Sequence, residues 1–181
     1  MDNIAGIPQQ KMKSAPDPGA DGSGLWSFSL GFYDQPGAAD ALMALQDEAG
    51  LNVDLVLFAI WLGLSGRGRL GAQQLDQAER AVRSVQSELI EPLRALRRRL
   101  KTVPDPEIQA LRERLKLVEI DAEKVALTRL GTIAAAVSKT DPDDCLADAE
   151  ANLLDYLDRE RAASPPVAII RRQLRHLAAN R

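Results

Sequence analysis

The residues able to do chemistry in this 181-residue chain fall into four groups. In the first, Ser27, Ser29, Gln46, Asp47, Asn52 and Asp54 are set among the aromatic residues that run from Trp26 to Trp61. A carboxylate or amide buried beside Trp26, Tyr33, Phe58 or Trp61 needs hydrogen-bond partners, and one left incompletely paired is a place for a ligand to bind. The candidate ligand-binding set is therefore Trp26, Tyr33, Gln46, Asn52, Asp54 and Trp61. The alternative is local: Asn52 caps a helix and Asp54 lies in its first turn, where the helix dipole favours negative charge. The packing around Asp54 separates the two readings.

The second group is basic, Arg94, Arg97, Arg98, Arg99 and Lys101. Such a patch neutralises phosphates in a salt-dependent manner. It also complements the dipole at a helix C-terminus, where Glu107 and Glu113 of a paired helix are available. With no aromatic residue interleaved, nucleic acid is the weaker reading. The third group is acidic: Asp141, Asp144, Asp148, Asp155 and Asp158 share one helix face. Asp144 and Asp148 have the D-x-x-x-D spacing with which all-helical prenyl-transferring enzymes hold Mg²⁺. No second such motif exists to complete a site, so a solvated face is expected. The fourth group is His176, the one histidine, and Cys145, the one cysteine. Two such residues assemble neither a nucleophile triad nor a four-ligand zinc site. No catalytic residue, metal or cofactor is assigned.

The elements that would position these groups are helical. Residues 1–65 carry 2 basic and 8 acidic side chains and residues 66–139 carry 15 and 10, within a net charge of −3. That balance favours neither nucleic acid nor a membrane surface as partner. Cys145 cannot form an internal disulfide, which fits a reducing cytoplasm. The longest apolar run, Val53 to Leu64, is interrupted by Asp54 and is too short to span a bilayer. No secretory leader follows Lys11 and Lys13.

Pro8, Pro16, Pro18, Gly19, Gly22 and Gly24 mark residues 1–24 as a flexible, disordered tail, and residues 25–181 as one helical domain. Trp26, Phe28, Leu30, Phe32 and Tyr33 form a short helix ending in a turn at Asp34 to Gly37. Pro36 opens a second helix, Gly50 ends it, and Asn52 caps a third that is apolar nearly all round to about Ser65. A helix of that kind must be enclosed by others. Leu75, Ala78, Val82, Val85, Leu89, Leu93 and Leu96 trace a long helix kinked near Pro92. Asp105 and Pro106 restart the chain into a helix striped by Ile108, Leu111, Leu115, Val118, Ala122 and Val125. The short turn makes these two a long antiparallel, coiled-coil-like pair. Asp141-Pro142 and Ser164-Pro165 open two more. The predicted fold is an all-α, single-domain helical bundle.

Trp26-Ser27-Phe28-Ser29-Leu30, Tyr33, Pro36-Gly37, Leu45-Gln46-Asp47, Gly50, Asn52 to Phe58, Trp61 and Gly63 together resemble a small bacterial family of unknown function. In that family a W-x-F-S-L opening leads to an LQ helix and an F-x-x-W helix. The resemblance is closest over residues 25–64 and extends more loosely to about 130. The family order around the central Val is Asp then Asn, the reverse of Asn52 and Asp54, and the resemblance implies no activity. The absence of a catalytic set points to a non-enzymatic interaction or adaptor protein whose partner is another protein or a second copy. The alternatives are a small enzyme or ligand-binding module with a pocket at Trp26, Tyr33 and Trp61, and nucleic-acid binding through Arg94 to Lys101.

Overall fold

The computed structural model describes residues 23–135, 137, 144–157 and 159–179. Among them the elements are α1 (Ser23–Tyr33), α2 (Ala38–Asp47), α3 (Val53–Leu62), α4 (Ala72–Val85), α5 (Glu91–Leu100), α6 (Pro106–Ala135), α7 (Cys145–Tyr156), α8 (Arg159–Ala162) and α9 (Pro165–Ala179). A wide π-helical turn, Gly63–Arg67, extends α3, and another, Gln86–Ile90, joins α4 to α5. The described residues contain no strand, and the bundle is all-α. Most of the predicted tail lies outside the described residues. Its last two residues do not belong to a tail, because α1 begins at Ser23 and buries Gly24.

Local signals set the ends of the helices. The Asn52 side chain accepts a hydrogen bond from the Asp54 backbone N–H at 2.9 Å, capping α3. Gly50, at φ 65°, makes the left-handed turn before it. Asp105 accepts from the N–H groups of Glu107 (2.8 Å) and Ile108 (3.2 Å), opening α6. Pro36 does not start α2 as expected; Gly37, at φ 76°, takes the cap position and the helix begins at Ala38. The kink expected near Pro92 is realised as the π turn Gln86–Ile90, which widens the helix where the proline ring would crowd the Glu88 carbonyl.

All ten residues of α3 are buried, and they divide between two apolar clusters. Val53, Val56, Leu57 and Ile60 face α2, α7 and α9, against Leu42, Leu45, Leu153, Val167 and Ile170. Leu55, Phe58, Ala59, Trp61 and Leu62 face α1, α4 and α6, against Leu25, Val82, Leu127 and Leu130. The α3–α7 approach is so close that a Cβ on Gly63 would stand 2.2 Å from the Ala149 backbone nitrogen. Beside it, fully buried Asn152 accepts from the Leu70 N–H (2.7 Å) and donates to the carbonyls of Gly68 (2.9 Å) and Ala59 (3.2 Å). Those three bonds satisfy backbone groups that the turn after α3 leaves without helical partners.

Gly63→Ala should therefore force α3 and α7 apart and cost about 2–3 kcal/mol or more. Urea unfolding followed by circular dichroism measures it, and a variant within about 0.5 kcal/mol of the parent would contradict the close approach.

Candidate functional site

One polar residue, Asp54, belongs to the wholly buried α3, and the charges around it come from two other helices. The α5–α6 hairpin is antiparallel, so positions on α5 meet positions on α6 whose numbers rise as those on α5 fall. Arg97 grips Glu119 with two bonds, Nε to Oε2 at 2.5 Å and Nη2 to Oε1 at 3.1 Å. One turn earlier, Arg94 donates through Nε to Glu119 Oε1 (3.0 Å) and through Nη2 to Glu123 Oε1 (2.7 Å). These pairs are buried, with Glu119 at 4% and Glu123 at 5% exposure. Glu123 Oε2 is buried and has no hydrogen-bond partner.

Three carboxyl groups and two guanidinium groups thus share one dry region, leaving one negative charge in excess unless a carboxyl holds a proton. Burial first, and Glu123 after it, raise the pKa of Asp54 to about 8 against the pull of Arg94. Burial likewise raises Glu123 to about 7 against the pull of Arg94, with Glu119 adding to the rise. The cluster keeps a proton at pH values where exposed carboxylates have none, and as a coupled pair Asp54 and Glu123 hold it jointly.

Asp54 and Glu123 line a chamber of about 10 Å³ together with Tyr33, Gln46, Asn52 and Arg94, space for about one water molecule. An open cleft of about 370 Å³ adjoins it, sharing Gln46, Asn52, Gln86 and Arg94 and adding Asp47, Glu91 and Arg98. Of the six candidate ligand-binding residues, Tyr33, Gln46, Asn52 and Asp54 meet at this chamber. Trp26 and Trp61 do not line it. Each stands two helical turns from a chamber residue on its own helix, Trp26 from Tyr33 and Trp61 from Asp54, about 10 Å along the axis. Trp61 is packed in the core beside Phe58 and Leu62, and Trp26 lies half-buried with the Lys124 ammonium 5.8 Å from its ring.

The five basic residues do not form one exposed face. Arg94 and Arg97 turn inward, Arg98 pairs with Asp47 at 2.7 Å, and Arg99 and Lys101 are exposed. Glu119 and Glu123 partner the inward arginines, in place of the expected Glu107 and Glu113, because the hairpin turn brings α5 level with the middle of α6. In the acidic group, Asp141 and Asp158 lie outside the described residues, Asp144 stands at the N-cap position of α7 without a side-chain cap bond, and Asp155 pairs with Arg69. His176 and Cys145 lie far apart in sequence on α9 and α7. Among the described residues no group of three or more His, Cys, Asp or Glu is placed to hold a metal ion, and no helix is long and apolar enough to cross a membrane.

A further surface is prominent on α6. Leu111, Val118 and Val125 recur every two turns on its outer side and are 40%, 51% and 46% exposed, with Leu117 at 61% beside them. The same helix therefore carries carboxylates inward and an apolar stripe outward.

Fold and site together define an all-helical protein with a buried acid–arginine cluster. The chain belongs to the family described as protein of unknown function (DUF2390), whose model matches residues 24–130. The match takes in α1 to α5 and most of α6, and so contains Asp54, the inward arginines and both buried glutamates. No curated protein and no solved structure matches the chain.

The proton held by Asp54 and Glu123 has a measurable consequence. Between about pH 4 and pH 8 the folded pair binds more protons than the unfolded chain, whose carboxyls titrate near their ordinary values. The pair's contribution to stability is thus fully present below about pH 4, falls as pH rises through that window, and is level above it. Asp54→Asn removes one of the two titrations. It should lose less stability than the parent between about pH 5 and pH 8, by on the order of 1–2 kcal/mol, in urea unfolding. Parallel pH profiles would contradict the shared proton.

Proposed function

We propose that this chain is a non-enzymatic protein-interaction module, working in the cytoplasm, that docks through the outward face of α6. The observation that carries the reading is the stripe of Leu111, Val118 and Val125, large apolar side chains left exposed at heptad spacing on the longest helix. Single exposed apolar residues are ordinary, whereas an aligned series on one helix marks a surface built to be covered.

The partner most consistent with this face is a second copy of the chain. An antiparallel pairing centred on Val118 sets Val118 against itself and Leu111 against Val125 of the second copy. The flanking column then matches in charge, Arg114 facing Asp121 of the second copy twice over by symmetry. Self-complementarity of this kind is what a two-fold interface requires. The basic run from Arg94 to Lys101 supports nucleic-acid binding less, since Arg94 and Arg97 are engaged with buried carboxylates.

Cysteine cross-linking tests the register. In a Cys145→Ser background, Val118→Cys should form a disulfide-linked dimer on mild oxidation. Leu111→Cys alone should not, and Leu111→Cys mixed with Val125→Cys should. Val118→Glu should weaken the dimer tenfold or more by light scattering. A parent chain that stays monomeric at high micromolar concentration, with no Val118→Cys cross-link, would refute self-docking.

A further inference from the structure

We propose that the chamber between Asp54 and Glu123 is the head-group subsite for a small aliphatic primary amine, which enters through the adjoining cleft. Glu123 Oε2 carries the argument. It belongs to a side chain only 5% exposed, lines the chamber, and has no hydrogen-bond partner. In the free chain only the proton shared with Asp54 can serve it; once the pair is ionised, a buried carboxylate oxygen in that state is costly unless something donates to it.

The charges facing the chamber decide what that donor is. Asp54 comes from α3 and Glu119 and Glu123 from α6, against Arg94 and Arg97 from α5. The remaining groups, Tyr33 of α1, Gln46 of α2 and Gln86 of the π turn, are uncharged at neutral pH, as is Tyr156 of α7 beside the Asn52 backbone. The excess is one negative charge, so the missing donor is a cation or a proton. Space for about one water also holds one –NH₃⁺ head, whose three N–H groups can reach both carboxylates. Outside the chamber, Leu51 and Ala95 supply apolar wall for a short methylene chain, while Asp47, paired with Arg98, and Glu91 and Arg94 leave the cleft lining balanced in charge, so the selection for a cation rests on the chamber. An anion would meet the unpaired Glu123 oxygen and is disfavoured.

The exchange balances as one proton out and one ammonium in. Because the free pair holds a proton near neutrality, the ammonium must displace it, and binding should strengthen as pH rises toward 8 while the amine itself stays protonated.

Isothermal titration calorimetry of the full chain with putrescine and with n-butylamine tests this. Saturable one-to-one binding is expected, about tenfold tighter near pH 8 than near pH 6, with release of up to about one proton read from buffers of different ionisation enthalpy. Tetramethylammonium, which has no N–H to donate, should not bind. Glu123→Gln should weaken binding at least tenfold while a folded circular dichroism spectrum is retained. Absence of saturable binding by either amine up to about 10 mM, or equal binding of tetramethylammonium, overturns the proposal. Should Glu123→Gln fail to fold, the parent chain still decides the matter: binding with no proton released at either pH also overturns it.

Discussion

The constraint from which the architecture follows is the complete enclosure of α3. Ten consecutive residues from Val53 to Leu62 are buried, so the helix has no face on which it can meet water. Two partners cannot cover such a cylinder. The chain surrounds it with α2, α7 and α9 on one side and α1, α4 and α6 on the other, and the two apolar clusters are the two halves of that sheath. Where the sheath is tightest, at Gly63 against Ala149, no side chain fits at all. Where α3 ends and the chain turns back on itself, Asn152 supplies the hydrogen bonds that the π turn cannot.

Enclosure has an electrostatic consequence at one residue. A carboxyl at position 54 cannot reach solvent, so its environment must be assembled around it, and Arg94, Arg97, Glu119 and Glu123 are arranged on the hairpin next to it. Buried ion pairs of this sort add little net stability over an apolar core of the same shape. Their effect is geometric. Bidentate contacts between Arg97 and Glu119 accept one register of α5 against α6 and no other, and that register places the hairpin's carboxylates beside Asp54. The one oxygen the network leaves without a donor lies where the cleft meets the core.

What the sequence discloses about this fold is what depends on near neighbours. The Asn52 cap, the Gly50 turn, the Asp105 restart and the all-apolar character of α3 each follow from residues within one turn of each other, and each is found in place. Pro36 does not start α2 because the turn after α1 runs on through Gly37, whose left-handed φ lies outside the right-handed helical region, so the helix begins only at Ala38. Four of the six site candidates converge, since Tyr33, Gln46, Asn52 and Asp54 sit at helix ends that meet. Trp26 and Trp61 do not, because shared aromatic character in a sequence says nothing of position along a helix axis. Asn152, Glu119 and Glu123 are legible only through contacts tens of residues distant, and a buried Asn in the middle of a helix reads locally as an unremarkable polar position.

Helix α6 separates what the fold consumes from what it leaves available. Its inner side gives Ala126, Leu127, Leu130 and Ala134 to the core and its carboxylates to the arginines, so the fold has used that side completely. Its outer side repeats Leu111, Val118 and Val125, and among the described residues no element lies over them. A helix kept in place only by its core needs an apolar stripe on one face; this one has two. The inner stripe is explained by α3 and α4. The outer stripe is apolar surface that the described residues leave about half open to water. The self-matching order of Arg114, Val118 and Asp121 along it is the feature that supports the proposed docking of a second copy.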